Sequence, residues 1–76
     1  MKSLTVSSVE KLLKDYIHDD GTKYIDKKDY EAVSSLVCST YDRCGVEIKG
    51  YPGKEYLSFY RLTAKSVKEA YKIELR

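Results

Sequence analysis

The sequence predicts a small α+β domain in which two amphipathic helices pack on a β-hairpin, completed by a short C-terminal helix or strand. Three observations carry that expectation. Apolar residues recur at helical spacing through residues 7–17 and again through 26–44, the period shortens to two from Val46, and Pro52-Gly53 separates the two strand-like runs. The chain has 76 residues, 42% of them apolar, with four Gly and one Pro, which leaves room for a single domain over residues 1–76. At this length folding buries only about 60–65% of the unfolded surface, so the core is thin and a deep catalytic cleft is not expected.

From Ser7 to Ile17, Val9, Leu12, Leu13, Tyr16 and Ile17 fall at i, i+3, i+4, i+7 and i+8, the stripe of a helix with one buried face. Ser7 followed by Glu10 has the form of a capping box, and Asp19-Asp20-Gly21 supplies a stop. A short extended piece, Thr22 to Ile25, precedes Asp26, which is placed to cap a second helix running to about Cys44. In that helix Tyr30, Val33, Leu36, Val37, Thr40, Tyr41 and Cys44 share a sector of roughly 140°, and Gly45 fits its C-terminal cap.

Val46 and Ile48 then alternate with Glu47 and Lys49, and after Tyr51-Pro52-Gly53-Lys54 comes Glu55 to Leu62. Pro52-Gly53 suits a type II turn; because tight hairpins prefer primed turns, a slightly longer loop is expected. If Val46, Ile48, Leu57 and Phe59 face the helices, Lys49, Tyr56, Ser58 and Tyr60 share the opposite face. The tail reads two ways. Ala64, Val67, Ala70 and Tyr71 have helical spacing, which favours a short helix capped by Thr63, whereas Tyr71 to Leu75 alternates like a strand.

The net charge of +2 does not by itself imply a polyanionic partner, but its distribution is uneven. Residues 1–42 hold six Lys against eight acidic residues, and residues 43–76 hold eight basic residues against four Glu. All Asp lie in the first part and all Arg in the second, an asymmetry that fits either a polyanion-binding face or two differently solvated faces. The longest apolar run is Leu36-Val37-Cys38, so no membrane span or signal segment is expected and a cytoplasmic location is. Cys38 and Cys44, placed in one helix, would be turned apart by roughly 600° and separated by about 9 Å of rise, so a disulfide between them is not expected. Two Cys and one His fall short of a zinc-ligand set, and neither a metal nor a cofactor is expected. His18, the single imidazole, has no Ser or Cys partner near it in the sequence, so the chain does not read as an enzyme.

The segment His18-Asp19-Asp20-Gly21-Thr22-Lys23-Tyr24-Ile25-Asp26-Lys27-Lys28-Asp29 resembles a degenerate EF-hand loop, with Asp20, Asp26 and Asp29 at its third, ninth and twelfth positions. The resemblance implies a calcium loop; the residues themselves read as a helix stop and a helix cap. Over residues 6–62 the order helix, short strand, helix, hairpin resembles winged-helix DNA-binding domains. The resemblance lies in Gly45-Val46-Glu47-Ile48-Lys49-Gly50-Tyr51-Pro52-Gly53-Lys54-Glu55-Tyr56 and Tyr60-Arg61-Leu62. It implies a wing that touches the phosphate backbone of DNA.

Independently of that resemblance, the hairpin interleaves bases with aromatics: Arg43, Lys49, Tyr51, Lys54, Tyr56, Tyr60 and Arg61. Cations neutralise phosphates while tyrosines stack on bases or pack against sugar, so the expected function is a small, regulatory, nucleic-acid-binding protein. The alternative is a small adaptor or inhibitor, of viral or mobile-element type, that uses the same Tyr-rich surface against a protein. A homodimer is compatible with the thin core, although no residue pattern in the sequence specifies one.

Overall fold

A computed structural model of the chain describes residues 4–76. Its elements are α1 (Val6–Leu12), β1 (His18–Asp19), β2 (Lys23–Ile25), a 3-10 turn (Lys27–Asp29), α2 (Tyr30–Thr40), β3 (Cys44–Tyr51), β4 (Lys54–Leu62) and β5 (Val67–Leu75). The fold is α+β, two helices and a five-stranded mixed sheet in the order β1-β2-β5-β4-β3. Among the described residues, no helix is long and apolar enough to cross a membrane.

Helix α1 begins two residues earlier than the sequence suggests. Thr5, not Ser7, is the N-cap: its side chain accepts from the Ser8 backbone N–H, and the Ser8 hydroxyl accepts from Thr5 N–H. The helix stops at Leu12, and Tyr16 and Ile17 reach the core from a turn in which both backbone N–H groups donate to the Leu13 carbonyl. The apolar stripe is therefore buried as its spacing requires, but its last two members are not helical.

The second helix is shorter than its periodicity implies. Asp26 and Asp29 make no side-chain cap bond, and α2 ends at Thr40, where the Ser39 and Thr40 hydroxyls both donate to the Leu36 carbonyl. Tyr41 leaves the helix in an extended conformation because its ring is buried and its hydroxyl donates to the Ser8 carbonyl at 2.9 Å, tying the end of α2 to α1. Arg43, at φ 56°, turns the chain into β3. Gly45 is consequently a strand residue and not a helix cap: it pairs with Tyr60, and a Cβ there would overlap the Tyr60 hydroxyl and ring.

The hairpin forms with its strands in continuous register, Cys44↔Arg61 through Tyr51↔Lys54, so only Pro52 and Gly53 lie in the turn and the longer loop is not needed. Gly53 at φ 90° takes the position a type II turn reserves for glycine, and Gly50 at φ 98° bends β3 just ahead of it. The hairpin is not a free wing, however, and the helices do not pack on a hairpin as such. The tail forms strand β5, not a helix, and it pairs antiparallel to β4 on one side and parallel to β2 on the other. Thr63 closes the β4–β5 turn with a helix-cap's chemistry, accepting from Ser66 N–H at 2.9 Å and donating to the Ser66 carbonyl at 2.7 Å. Pairing on both edges outweighs the helical spacing of Ala64, Val67 and Ala70, since only the strand puts Tyr71, Ile73 and Leu75 together on the core face. Ala70 is the extra residue of a bulge opposite Phe59 and Tyr60.

Both helices cover one face of this sheet. Val9, Val33 and Val37 from the helices, with Leu13 from the C-cap of α1, meet Ile25, Val46, Leu57, Phe59, Ile73 and Leu75 from the strands, and the Phe59 and Tyr71 rings stack at 5.8 Å. Each fully buried aliphatic or aromatic side chain contributes about 1.5–3 kcal/mol by removal from water. The two positive-φ glycines of the β3–β4 hairpin differ in what surrounds them. A Cβ on Gly50 would overlap the Lys54 carbonyl, whereas nothing lies within 4 Å of one on Gly53. Gly50→Ala is therefore expected to lower stability by about 2–3 kcal/mol and Gly53→Ala by only about 1 kcal/mol in urea denaturation; equal losses would contradict the close approach.

Candidate nucleic-acid interface

Strand alternation sorts the side chains of β1 to β5 into a helix-facing set and a set on the open face of the sheet. The registers Lys49↔Tyr56, Tyr56↔Glu74, Tyr24↔Glu74 and His18↔Tyr24 run as one row from β3 to β1 across that open face. The expected sharing of one face by Lys49, Tyr56, Ser58 and Tyr60 is what the register produces, with Gly45 opposite Tyr60 and Glu47 opposite Ser58. Tyr51 and Lys54 flank the turn on the same face. The tyrosines divide evenly: Tyr16, Tyr30, Tyr41 and Tyr71 belong to or pack against the core, and Tyr24, Tyr51, Tyr56 and Tyr60 are on the open face.

Arg43 and Arg61 do not join this group. They lie where β3 begins and β4 ends, the full strand length from the turn, about 25 Å at the usual rise per residue, and Arg61 alternates with Leu57 and Phe59 on the helix-bearing side of β4. Their place as cations of the face is taken by two residues the sequence did not single out. Lys72 Nζ sits 5.2 Å from the Tyr56 ring centroid and 3.4 Å from a Glu69 carboxylate oxygen. The Arg76 guanidinium lies 4.1 Å from the Tyr24 ring centroid and bridges Asp20 and Glu74. The signal for both was the alternation of Tyr71 to Leu75, which places Lys72 and Glu74 opposite the core residues once that segment is a strand.

The charges on the face are of two kinds. Lys72 and Arg76 are held by carboxylates, and the Arg76 guanidinium holds the Asp20 carboxyl below its usual range, with a further bond from Thr22 N–H. Lys49 and Lys54 are exposed and have no ion pair among the described residues, so their charge is available to an anion. A shallow groove lined by Lys54, Tyr56, Lys72 and Glu74 connects the two kinds at the turn end of the sheet. Tyr60 Oη donates to Glu47 at 3.5 Å, and partial burial together with that carboxylate raises the Tyr60 phenol above its usual range. Helix α2, in contrast, contains neither Lys nor Arg.

The acidic segment of the EF-hand resemblance folds as the β1–β2 hairpin and the 3-10 turn, not as a loop between helices. Asp20 is engaged by Arg76, Asp26 by His18 Nε2 at 3.0 Å, and no three acidic, His or Cys side chains among the described residues are grouped to hold a metal ion. The cysteines also differ from expectation. Cys44 is in β3, so its side chain converges on Cys38 instead of diverging: Cys38 Sγ is 3.8 Å from the Cys44 carbonyl, and both thiols are free.

Comparison of the chain with family models, curated proteins and solved structures gave no match to any of them.

Two outcomes are expected from this geometry. Ser58 is fully buried among its larger open-face neighbours, and its hydroxyl has no hydrogen-bond partner among the described residues. Ser58→Ala should raise stability by about 1 kcal/mol in urea denaturation, and a loss would mean that the hydroxyl is bonded in solution. Burial, with Cys38 beside it, pushes the Cys44 thiol up to about 11. Iodoacetamide at pH 8 should modify exposed Cys38 well before Cys44, which then has about a thousandth of its population as thiolate; comparable labelling in peptide mass spectra would contradict that environment.

Proposed function

We propose that the protein is a non-enzymatic binder of single-stranded nucleic acid, acting through the open face of its sheet. The observation that carries this reading is the row of rings and cations across the strands: Lys49, Tyr56 with Lys72 over it, and Tyr24 with Arg76 over it. Bases stack on tyrosine or guanidinium planes while lysines at the margin neutralise phosphates, and an open sheet face offers successive platforms to a flexible strand. Lys49 and Lys54 are the charge partners in this reading; Tyr51, Tyr56 and Tyr60 are the stacking or packing groups. Arg43 serves it only at the far end of a longer strand, and Arg61, on the helix-bearing side of β4, has no part in it.

Duplex reading in the winged-helix manner has less support. Helix α2 has no cation to offer a groove, and its Val33 and Val37 are committed to the core. The protein-adaptor reading rests on a different feature of the same face, the exposed apolar pair Leu62 and Val67 beside Tyr60.

Fluorescence anisotropy with a labelled oligothymidine and with a mixed-sequence duplex separates these readings. Single-strand binding should be the tighter, and its logarithm should fall by roughly 0.7 per log unit of salt for each phosphate neutralised. Lys49→Glu combined with Lys54→Glu should reduce the salt slope and the affinity together, and Tyr56→Ala should weaken binding by about tenfold or more at constant slope. Absence of binding at low salt would remove the proposal in favour of a protein partner.

A further inference from the structure

The sheet has two edges of unequal kind. Strand β1 is two residues long, and its His18 is occupied by Asp26, whereas β3 is eight residues long and has only β4 beside it. Which backbone groups of β3 face outward follows from two bonds. Arg43 C=O accepts from Leu62 N–H at 2.6 Å, so residues 43, 45, 47 and 49 are turned toward β4. Val46 C=O instead accepts the Tyr30 hydroxyl at 3.2 Å, so residues 46, 48 and 50 direct their N–H and C=O groups away from β4. Tyr30 caps the first of these. Ile48 and Gly50 are left as an open segment of edge, in a stretch where Glu47, Ile48, Lys49 and Gly50 are all exposed.

The side chains of this segment complement themselves. An antiparallel partner strand of the same sequence, related by a two-fold axis through Ile48, sets Ile48 against Ile48 and each Glu47 against the other chain's Lys49. The isoleucines, 44% exposed in the single chain, meet on the helix-bearing face, and the two Glu–Lys pairs form on the open face. Gly50 falls opposite Val46, where Tyr30 already sits, and brings no side chain to crowd it. Moving the axis by one residue either way sets Glu47 against Glu47 or Lys49 against Lys49. A lysine on an edge strand ordinarily discourages pairing; here only a strand offering a glutamate at the right place satisfies it, and this chain has that glutamate two residues earlier.

We propose that β3 pairs with β3 of a second copy of the chain, in the register centred on Ile48, to give a two-fold dimer with one continuous ten-stranded sheet. Ile48 N–H donates to the Ile48 carbonyl of the other copy and the reverse, and the two open faces become one. The proposal does not depend on what that face binds.

The test is a charge-swap series followed by sedimentation velocity from about 10 to 500 μM, a range that brackets weak self-association. The unaltered protein should reach twice the chain mass of 8.8 kDa. Glu47→Lys alone and Lys49→Glu alone each put like charges opposite one another twice, and each should weaken the dimer by about tenfold or more. An equimolar mixture of the two variants restores opposite charges at both pairs and should dimerise as the unaltered protein does, which misfolded variants could not do. A single-chain mass throughout the concentration range overturns the proposal. So does a dimer indifferent to either substitution, or a mixture that stays monomeric.

Discussion

The backbone ladders that β5 makes on both of its edges hold the two parts of the chain in one sheet. On one side it continues the β3–β4 hairpin; on the other it runs parallel to β2, with Arg76 N–H donating to the Ile25 carbonyl at 2.9 Å and Lys27 N–H to the Arg76 carbonyl at 2.7 Å. Without that strand β4 would expose a second free edge, and β2, three residues long, would have only the two residues of β1 to pair with. Isolated pairs of that size are not stable in water. The central position of β5 also puts Ile73 and Leu75 under the helices, between Leu57 and Ile25.

That constraint determines the chemistry of the surface. A sheet covered by helices on one face must send every second side chain to the other, and the tyrosines follow this rule. Tyr30 and Tyr41 use their hydroxyls to lock α2 to β3 and to α1, each donating to a main-chain carbonyl. Tyr24 and Tyr56 are on the other face, where the Tyr56 ring is covered by Lys72 of β5 and the Tyr24 ring by Arg76, the residue that follows β5. The same residue type thus serves as internal brace where it belongs to α2 or its C-cap, and as surface platform where the strand register turns it to the open face.

The open face holds its cations with different degrees of restraint. Its inner cations, Lys72 and Arg76, are tied down by Glu69, Glu74 and Asp20, while Lys49 and Lys54 at the margin have no such restraint. A polyanion would meet free charge first at the margin and ordered, ring-backed charge further in. The edge that carries Lys49 is also the one whose Glu47 and Ile48 make it complementary to itself, so Lys49 is common to both proposed surfaces: its ammonium either meets an anion on the open face or pairs with Glu47 of a second copy.

The sequence by itself determined the α+β class, the two apolar helical stripes, the hairpin, and which face of the hairpin Lys49, Tyr56, Ser58 and Tyr60 share. These are local matters, since a period of 3.6 or 2 is written in neighbouring residues and a Pro-Gly turn is read in place. What only the tertiary structure decided was the fate of residues 63–75, the ends of both helices, and the convergence of Cys38 with Cys44. Each depends on a distant partner: β2 and β4 for the tail, the Ser8 carbonyl for Tyr41, and Arg61 for Cys44. Helical and strand spacing are both present after Thr63, and a local pattern cannot choose between them. Two unpaired sheet edges can, because leaving their amides and carbonyls without partners costs more than either propensity is worth.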